Sequence, residues 1–332
     1  MKTRLQKLFA YQELDYIEAR QSLLDIAAGE INEAQIAAFL TVYQLRPITV
    51  QELQGFRAAL LELCRPAGLE DYETMDVCGT GGDGKNTFNI STLTAFVVAG
   101  AGYQVAKHGN YGVSSRCGSS NVMEHLGYRF SNEPDQLRRQ LDSANICFLH
   151  APLFHPAMKV AAPIRRALGF KTFFNMLGPL VNPARPAHQL VGVFSLELAR
   201  LYKYLLQQDG RNFSIVHSLD GYDEVSLTGP FRRINNAEEG ILVPADLDQS
   251  QLDPVALHGG ETIGEAADIF MSVLRNEATT AQKAAVLANA TLAIQTRTGS
   301  SLEDARAQAQ TALESGKALQ SFQSLLETAT AV

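Results

Sequence analysis

The chain has 332 residues, of which 46% are hydrophobic and 19% charged, so it is long enough for a large buried core in one big domain or two unequal ones. Its formal net charge of −7 argues against non-specific nucleic-acid binding as its main task. The sequence contains no apolar run near the roughly 18 residues that a membrane-spanning helix needs, and it begins without the apolar segment of a signal peptide.

The four cysteines are widely separated, and none of them forms a CxxC pair. Scattered single cysteines in a chain of this size are typical of reduced thiols in the cytoplasm. The histidines form no HExxH or HxxxH pair, so a zinc site is not expected. We therefore predict a cytoplasmic protein without structural zinc.

The first part of the chain has helical patterns. Asn32 with Gln35, and Thr49 with Glu52, have the spacing of capping boxes, and each pair opens an amphipathic segment. We predict three or four short helices that form a small helical N-terminal domain over residues 1–68. Part of residues 156–185 is expected to complete this domain, which would join the rest of the chain through a hinge.

From about residue 70, short apolar segments alternate with helical ones. The segments that resemble strands are ETMDVCG, YQVAKHG, ICFLHAP, QLVGVF and FSIVHS, followed by the short EVSL and GILV. Strands that alternate with helices of about 10–15 residues are typical of βαβ units and a largely parallel sheet. The last third is helical again. We therefore predict an α/β fold, in which residues 69–332 form a larger domain with a mostly parallel central sheet flanked by helices.

A glycine-rich stretch, GTGGDGK, follows the first predicted strand, and we call residues 79–85 the glycine loop. Glycines between a strand and a helix let backbone N–H groups converge on an anion, which predicts a phosphate or pyrophosphate site. The stretch approaches a Walker A motif, but Asn86 lacks the hydroxyl that would bind Mg²⁺, so we reject that interpretation. Asp83 would repel a bare phosphate, which indicates that a metal ion or a sugar hydroxyl lies beside it.

Polar side chains alternate in the segment after the glycine loop. Thr87, Asn89 and Ser91 would face the same side of an extended chain. Ser91 or Thr92 could instead cap the following helix, which is the simpler interpretation. Capping would account for one of these residues but not for Thr87 and Asn89.

A second polar stretch begins with KHGN after the second predicted strand, and we call residues 107–120 the polar loop. Lys107 offers a point charge for a phosphate, and Asn110 can donate and accept hydrogen bonds. A lone histidine such as His108 is more often structural than catalytic. Ser119 or Ser120 could cap the next helix, but a simple turn would not need so many donors.

An acidic pair, Asp223 and Glu224, comes much later in the chain. Adjacent carboxylates offer hard oxygen ligands of the kind that Mg²⁺ prefers. Taken alone, the pair would more often be a solvated turn after Gly221. Taken with the two loops, it predicts a site for a ribose phosphate ester and its divalent metal ion.

Together these motifs resemble those of the anthranilate phosphoribosyltransferase family, which acts in tryptophan biosynthesis. The family motifs GTGGD, NxST, KHGN, SS…GS and a late DE pair all occur in order, and PIRRALGFKTFFNMLGPLVNPA is similar to a further family segment. The helical start and the C-terminal SGKAL also match, so the likeness covers nearly the whole chain. The chain departs from the family pattern at Tyr111, usually Arg, at Asn121, often Asp, and at Cys117, commonly Ser.

The resemblance implies a pentosyltransferase that moves the phosphoribosyl group of phosphoribosyl pyrophosphate (PRPP) to the amine of anthranilate and releases pyrophosphate. Bond breaking at C1 would build oxocarbenium character, so the protein needs positive charge and donors more than a covalent nucleophile. We assign no catalytic base, because an aromatic amine is already uncharged at neutral pH. By resemblance, PRPP would contact Gly79, Gly82, Asp83, Thr87, Asn89, Ile90, Ser91, Thr92, Lys107, Ser115 and Ser119.

The resemblance also implies Mg²⁺ as the cofactor, a second substrate site and a homodimer formed through the helical domain. The ligands of Mg²⁺, direct or through water, would be Ser91, Asp223 and Glu224. The residues that bind anthranilate would be Gly79, His108, Asn110 and Arg165. A guanidinium is a natural partner for a planar aryl carboxylate. The adjacent Arg166 is the alternative, and the resemblance favours Arg165.

Two other functions stay open. A pyrimidine nucleoside phosphorylase of the same fold also has a glycine loop, but it would use inorganic phosphate, and the PxRxxLG stretch and the acidic pair point away from it. A related protein that binds nucleic acid without catalysis is disfavoured by the negative charge and the intact metal and phosphate residues. We expect neither nucleic acid nor a membrane as a partner.

Overall fold

The structure of the protein is a computed structural model that describes residues 1–112 and 117–330. In chain order, its first half contains α1 (Lys2–Phe9), α2 (Tyr16–Ala27), α3 (Glu33–Leu45), α4 (Val50–Glu62), β1 (Met75–Gly79), α5 (Ile90–Gly100), β2 (Val105–Gly109), α6 (Ser119–His125), α7 (Pro134–Ala144), β3 (Ile146–His150), α8 (Ala151–Phe154) and α9 (Met158–Leu168). Its second half contains β4 (His188–Gly192), α10 (Leu196–Gln208), β5 (Asn212–Ser218), β6 (Phe231–Asn235), β7 (Glu239–Leu242), α11 (Ile263–Leu274), α12 (Thr280–Thr298), α13 (Leu302–Glu314) and α14 (Lys317–Thr330). Within the described residues, no helix combines the length and the apolar character needed to cross a membrane.

The chain divides into two compact units. The helical unit comprises residues 1–66 and 151–183, and the α/β unit comprises residues 67–150 and 184 onward. Two helices of the helical unit begin as the capping patterns predict. The side chain of Asn32 accepts a hydrogen bond from the Gln35 amide at the start of α3, and Thr49 with Glu52 forms a capping box at the start of α4.

An aromatic cluster fills the core of the helical unit. Phe39 and Tyr43 of α3 pack edge-on against Phe56 of α4, with ring centres 5.8 and 5.6 Å away. Phe173 completes the cluster from the second segment of this unit, and its ring stacks on that of Phe56 at 4.4 Å. Aromatic pairs of this kind add about 0.5–1.5 kcal/mol each beyond the area they bury.

A buried carboxylate, Glu52, lies beside this cluster. Its side chain forms a salt bridge with Arg46 and accepts hydrogen bonds from the backbone amides of Leu14 at 3.1 Å and Thr49 at 3.0 Å. The Tyr43 hydroxyl also donates to it, at 3.2 Å. Glu52 therefore links the chain before α2 to the start of α4.

A seven-stranded sheet with the order β3-β2-β1-β4-β5-β6-β7 forms the centre of the α/β unit. The first five strands in this order, β3-β2-β1-β4-β5, pair in parallel, and β6 and β7 add an antiparallel edge. Strands β1 to β4 are buried almost throughout, as expected when helices cover both faces of a parallel sheet. The predicted α/β fold with a mostly parallel central sheet is confirmed.

The strand order reverses between β1 and β4. From β1 the chain continues to β2 and β3 on one side, whereas β4 leads to β5 on the other, and Gly79 pairs with Gly192 where β1 and β4 end. Ligands of open α/β sheets bind outside the carboxyl ends of the strands at such a switch point. The fold therefore puts the glycine loop where a ligand site is expected.

The prediction of a short strand at EVSL is wrong. These residues belong to an irregular segment, residues 219–230, that joins β5 to β6, and we call it the acidic loop. Leu227 has a φ of 61°, which a strand cannot accommodate. The other predicted short strand, GILV, corresponds to β7.

Candidate functional site

The acidic loop crosses the ends of β1 and β4 in very close contact with two glycines. A Cβ atom on Gly192 would lie 1.6 Å from the carbonyl oxygen of Asp223. A Cβ atom on Gly79 would lie 2.4 Å from Oδ2 of the same residue. Because any side chain at these positions would collide with the loop, the two glycines allow Asp223 to reach the switch point.

The glycine loop turns sharply and binds the acidic loop through its backbone. Gly81, Gly82 and Gly84 have φ values of 61°, 77° and 76°, a region that favours glycine. The amide of Gly81 donates a hydrogen bond of 2.7 Å to Oδ2 of Asp223. Helix α5 begins only at Ile90, so no helix directly follows the GK pair of this loop, in contrast to a Walker A motif.

A cation–aromatic contact joins the same two loops. Nζ of Lys85 lies 4.6 Å from the centre of the Tyr222 ring, next to Asp223. The amide of Lys85 also donates a hydrogen bond of 3.0 Å to Oδ1 of Asp83. The Lys85 side chain therefore holds the end of the glycine loop against the acidic loop, while its amide stabilises the turn within the glycine loop.

Three carboxylates meet at this point. One ligand oxygen each from Asp83, Asp223 and Glu224 lies within 4.8 Å of the others. Oε2 of Glu224 is buried and has no hydrogen-bond partner among the described residues. Asp83 was predicted as a PRPP contact because it is a carboxylate in a loop of the phosphate-binding type. Its position among these three carboxylates also fits a metal site.

The electrostatics of the three carboxylates favour a bound cation. Burial and the Asp83 carboxylate raise the pKa of Asp223 to about 6. Burial and the carboxylates of Asp223 and Asp83 raise the pKa of Glu224 well above its usual range. Hard oxygen atoms that repel one another in a buried site fit Mg²⁺, because a divalent cation would neutralise them.

The start of α5 differs from the capping interpretation. Its N-cap is Asn89, and Ser91 and Thr92 lie inside the first helical turn, so neither serves as the cap. Nδ2 of Asn89 donates a hydrogen bond of 3.3 Å to the carbonyl of Cys117 in the polar loop. Ile90 is fully buried, and its amide donates a hydrogen bond of 2.6 Å to the carbonyl of Phe88, so its contact with PRPP stays a prediction.

Thr87 and Thr92 lie on either side of the helix start. Thr87 forms an isolated antiparallel bridge with His258, so the chain is extended there as predicted, but the predicted extended stretch does not reach Ser91, which lies in α5. Thr92 is buried, and its hydroxyl has no hydrogen-bond partner among the described residues. The proposed roles of Thr87, Thr92 and Ser91 stay predictions.

Lys107 and His108 lie near the end of β2 and are buried. Nζ of Lys107 donates a hydrogen bond of 2.6 Å to the carbonyl of Val77 in β1, and the His108 amide donates one of 3.2 Å to Oδ1 of Asp76. Burial lowers the pKa of Lys107, and the Asp76 carboxylate opposes this effect. The ammonium therefore bridges to the strand that carries the glycine loop.

The end of the polar loop is tied to its beginning. The carbonyl of Asn110 accepts hydrogen bonds from Oγ of Ser119 and from the Ser120 amide, both at 3.2 Å. The N-cap of α6 is Gly118, so the alternative that Ser119 or Ser120 caps this helix is wrong. The predicted PRPP contact Ser115 and its neighbours Ser114 and Arg116 lie outside the described residues.

The residues that depart from the family pattern have structural partners here. The Tyr111 hydroxyl donates a hydrogen bond of 2.8 Å to Oε1 of Glu124, and its ring lies 4.7 Å from that of His150. Oδ1 of Asn121 accepts hydrogen bonds from the amides of Gly112 at 3.0 Å and Gly118 at 3.1 Å. Tyr111 and Asn121 therefore anchor the polar loop to α6.

Arg165 belongs to α9 of the helical unit. Its Nη2 donates a hydrogen bond of 3.3 Å to Oδ1 of Asn175, and its guanidinium lies 5.0 Å from the centre of the Phe174 ring. Burial lowers the pKa of Arg165, whereas the adjacent Arg166 is exposed. Of the two arginines, Arg165 is the one held in a defined position.

Two family descriptions match consecutive parts of the chain. Residues 71–319 match "Glycosyl transferase family, a/b domain". Residues 2–64 match "Glycosyl transferase family, helical bundle domain". Both matches agree with a helical N-terminal region and a larger α/β region.

Individual relatives are similar over nearly their whole length. The chain is 56% identical to the anthranilate phosphoribosyltransferase of Cytophaga hutchinsonii, over 97% of this chain and 98% of the relative. It is 55% identical to that of Flavobacterium johnsoniae, over 98% and 99% of the two chains. Among solved structures, anthranilate phosphoribosyltransferase from Thermus thermophilus superimposes with a TM-score of 0.92 at 32% identity, covering 98% of this chain and 99% of that one. The Saccharomyces cerevisiae enzyme in complex with PRPP and Mg superimposes with a TM-score of 0.90 at 25% identity, covering 99% and 97%. The chain therefore belongs to the anthranilate phosphoribosyltransferase family.

Proposed function

We propose that the chain transfers the phosphoribosyl group of PRPP to the amine of anthranilate, giving N-(5-phosphoribosyl)anthranilate and pyrophosphate in a Mg²⁺-dependent reaction of tryptophan biosynthesis. The observation that carries this proposal is the meeting of Asp83, Asp223 and Glu224 beside the glycine loop at the switch point of the sheet. Membership of the family and the yeast structure with PRPP and Mg support the same substrates and cation.

The proposed reaction exchanges one bond at C1 of the ribose. The C1–O bond to pyrophosphate breaks and its electron pair leaves with pyrophosphate, while the anthranilate nitrogen forms a bond to C1 and then loses a proton. Asp223 and Glu224 would hold Mg²⁺, with Asp83 and Ser91 as further candidate ligands, and the bound ion would supply positive charge that stabilises the leaving group. Holding the anthranilate amine close to C1 of the ribose supplies the rest of the rate acceleration.

The glycine loop and the start of α5 bind the phosphates of PRPP in this proposal. Glycines in left-handed conformations present backbone N–H groups, and the first turn of a helix has N–H groups without helical partners. Lys107 adds positive charge between β1 and β2. The described residues assigned to PRPP are Gly79, Gly82, Asp83, Thr87, Asn89, Ile90, Ser91, Thr92, Lys107 and Ser119.

Anthranilate is bound by Gly79, His108, Asn110 and Arg165 in this proposal. Arg165 pairs with the carboxylate of anthranilate, because a guanidinium already oriented by Asn175 and Phe174 loses little freedom when it binds. Arg166 is exposed and serves as the natural comparison.

We also propose a cytoplasmic homodimer that associates through the helical unit. Tyr11, Ile17 and Leu45 of this unit are strongly exposed apolar side chains, which supports an interface there. The four cysteines are widely separated in the sequence and form no CxxC pair, which supports a reducing compartment. We further propose that residues 1–68, completed by part of 156–185, act as a domain that is linked by a hinge to the rest of residues 69–332.

Loss of anthranilate fluorescence tests the proposed function. The purified chain should remove the emission of anthranilate only when PRPP and Mg²⁺ are both present, and mass spectrometry should detect N-(5-phosphoribosyl)anthranilate. The Asp223→Asn chain, assayed at limiting Mg²⁺, serves as the matched protein control and should remove the emission more slowly. Unchanged emission, together with release of a base from a pyrimidine nucleoside by inorganic phosphate, would contradict the proposal and favour a phosphorylase.

A further inference from the structure

The backbone that follows the acidic pair is held by side chains rather than by strand pairing. Residues 223–226 lie in the irregular acidic loop. Four backbone groups, from the Glu224 carbonyl to the Ser226 amide, nevertheless have specific side-chain partners, which come from α12 and from the end of β5. This arrangement is unusual because buried backbone groups are mostly satisfied by other backbone groups.

Asn289 of α12 holds both polar groups of Val225. Its Oδ1 accepts a hydrogen bond of 3.1 Å from the Val225 amide, and its Nδ2 donates one of 2.9 Å to the Val225 carbonyl. The same Nδ2 donates to the carbonyl of Ala285 at 2.8 Å, one turn earlier in α12. Asn289 is 2% exposed. The side-chain amide of Asn289 therefore has a single defined orientation, and it fixes the backbone of Val225, the residue next to Glu224.

Ser218, the last residue of β5, holds the same segment from another side. Its Oγ donates a hydrogen bond of 2.7 Å to the carbonyl of Glu224 and accepts one of 3.2 Å from the Ser226 amide. With Asn289, it binds four consecutive backbone groups, from the carbonyl of Glu224 to the amide of Ser226. We call Asn289 and Ser218 together the amide–hydroxyl clamp.

The clamp counteracts a repulsion within the site. Asp83, Asp223 and Glu224 bring oxygens within 4.8 Å of one another, and like charges this close favour movement of the loop away from the switch point. An irregular loop resists such movement only where its backbone is fixed. The clamp fixes it at the residue after the acidic pair.

We propose that Asn289, together with Ser218, is a positioning residue that keeps Asp223 and Glu224 in the arrangement a divalent cation requires. The inference rests on the proposed function, because that function gives the carboxylates a cation to bind. Partners that orient metal ligands through hydrogen bonds typically change metal affinity by about 10–100-fold when they are removed.

Direct cation binding tests the clamp. We would measure the Kd of Mn²⁺ in the presence of PRPP by the electron paramagnetic resonance signal of free Mn²⁺. Asn289→Leu keeps the volume and removes all three hydrogen bonds. The matched control is Thr291→Val, since Thr291 is equally buried on α12 and its hydroxyl bonds only to the carbonyl of Leu287, at 2.7 Å, among the described residues.

Asn289→Leu should raise the Kd of Mn²⁺ by about tenfold or more, whereas Thr291→Val should leave it unchanged. Saturating Mg²⁺ should restore most of the lost turnover of Asn289→Leu, and its KM for anthranilate should equal that of the wild type. A lower melting temperature with an unchanged Kd for Mn²⁺ would show that Asn289 only stabilises the fold, and it would overturn the proposal.

Ser218→Ala provides a second test, because it removes one hydroxyl and leaves Asn289 in place. It should also weaken Mn²⁺ binding. If Asn289→Leu fails to fold, an unchanged Mn²⁺ affinity of Ser218→Ala would overturn the proposal by itself. A wild-type chain that binds no Mn²⁺ would instead contradict the proposed function, and the clamp with it.

Discussion

The Cα atom of Gly192 lies directly against the carbonyl of Asp223, so that a Cβ atom at position 192 would come within 1.6 Å of that oxygen. The contact is with backbone, which cannot rotate away as a side-chain end can. Gly192→Ala should therefore displace the acidic loop and lower the free energy of unfolding by about 1–3 kcal/mol. Chemical denaturation and the anthranilate fluorescence assay would measure the two effects.

Gly229→Ala is the matched control for this prediction. Gly229 lies in the same acidic loop, it does not have a positive φ, and a Cβ atom there would meet nothing within 4 Å. It should behave as the wild type in both assays. If Gly192→Ala had wild-type stability and activity, neither property would depend on the present path of the acidic loop, and the prediction would be wrong.

Asp223→Asn should lower the affinity of the site for Mg²⁺. The substitution keeps the shape of the side chain and its capacity to accept a hydrogen bond from the Gly81 amide, but it removes a negative charge from the three carboxylates. We expect the concentration of Mg²⁺ needed for half-maximal activity to rise by about tenfold or more. Full activity of this variant at limiting Mg²⁺ would exclude Asp223 as a metal ligand.

Arg165→Ala should affect one substrate only. Loss of a charge-assisted hydrogen bond to a carboxylate costs about 1.5–3 kcal/mol, so the KM for anthranilate should rise by about tenfold or more. The KM for PRPP should change little. The exposed Arg166 supplies the control, and Arg166→Ala should keep both constants. A larger rise in the KM for PRPP than for anthranilate would contradict the assignment.

Glu52→Gln tests the stability of the helical unit and its dependence on pH. Burial alone would raise the pKa of Glu52, but hydrogen bonds from Arg46 and from the Thr49 and Leu14 amides outweigh it, and the pKa is lowered from its ordinary value of 4.5. A carboxyl of this kind stabilises the fold above its unfolded pKa and loses that contribution as the pH falls through its folded pKa.

Glu52→Gln should therefore lower the free energy of unfolding by about 3 kcal/mol at pH 7, because it leaves Arg46 without its charged partner. The deficit should shrink as the pH falls below 4.5, where the wild-type carboxyl begins to lose its advantage. Urea unfolding followed by circular dichroism would measure it. Glu30→Gln changes an exposed carboxyl and should have little effect. A deficit that is constant from pH 7 to pH 3 would contradict the ionic origin.

The sheet and the capping boxes could be predicted because their signals are local. Buried strands appear as short apolar runs, and Thr49 with Glu52 is recognisable by spacing alone. Two local interpretations nevertheless failed at the site. Ser91 and Ser119 look like caps, but Asn89 and Gly118 begin these helices, which leaves the serine hydroxyls inside the first turns.

The contacts that shape the acidic loop could not be predicted, because they join residues far apart in the sequence. The apolar pattern of EVSL suggests a strand, yet Asn289 and Ser218 satisfy the backbone that a neighbouring strand would have bonded. Nothing around Asn289 distinguishes it from other polar residues of a helix. The position of Asp83 beside Asp223 likewise depends on the strand order at the switch point.

The aromatic cluster of the helical unit has a consequence for folding during synthesis on the ribosome. Phe39, Tyr43 and Phe56 leave the exit tunnel early, but Phe173, which stacks on Phe56, is translated only after the whole of residues 67–150. During that interval the early helices present an unfilled apolar face, which is the kind of surface that chaperones bind and that promotes aggregation. A truncated product ending before Phe173 should therefore be degraded or insoluble, although it contains all four N-terminal helices.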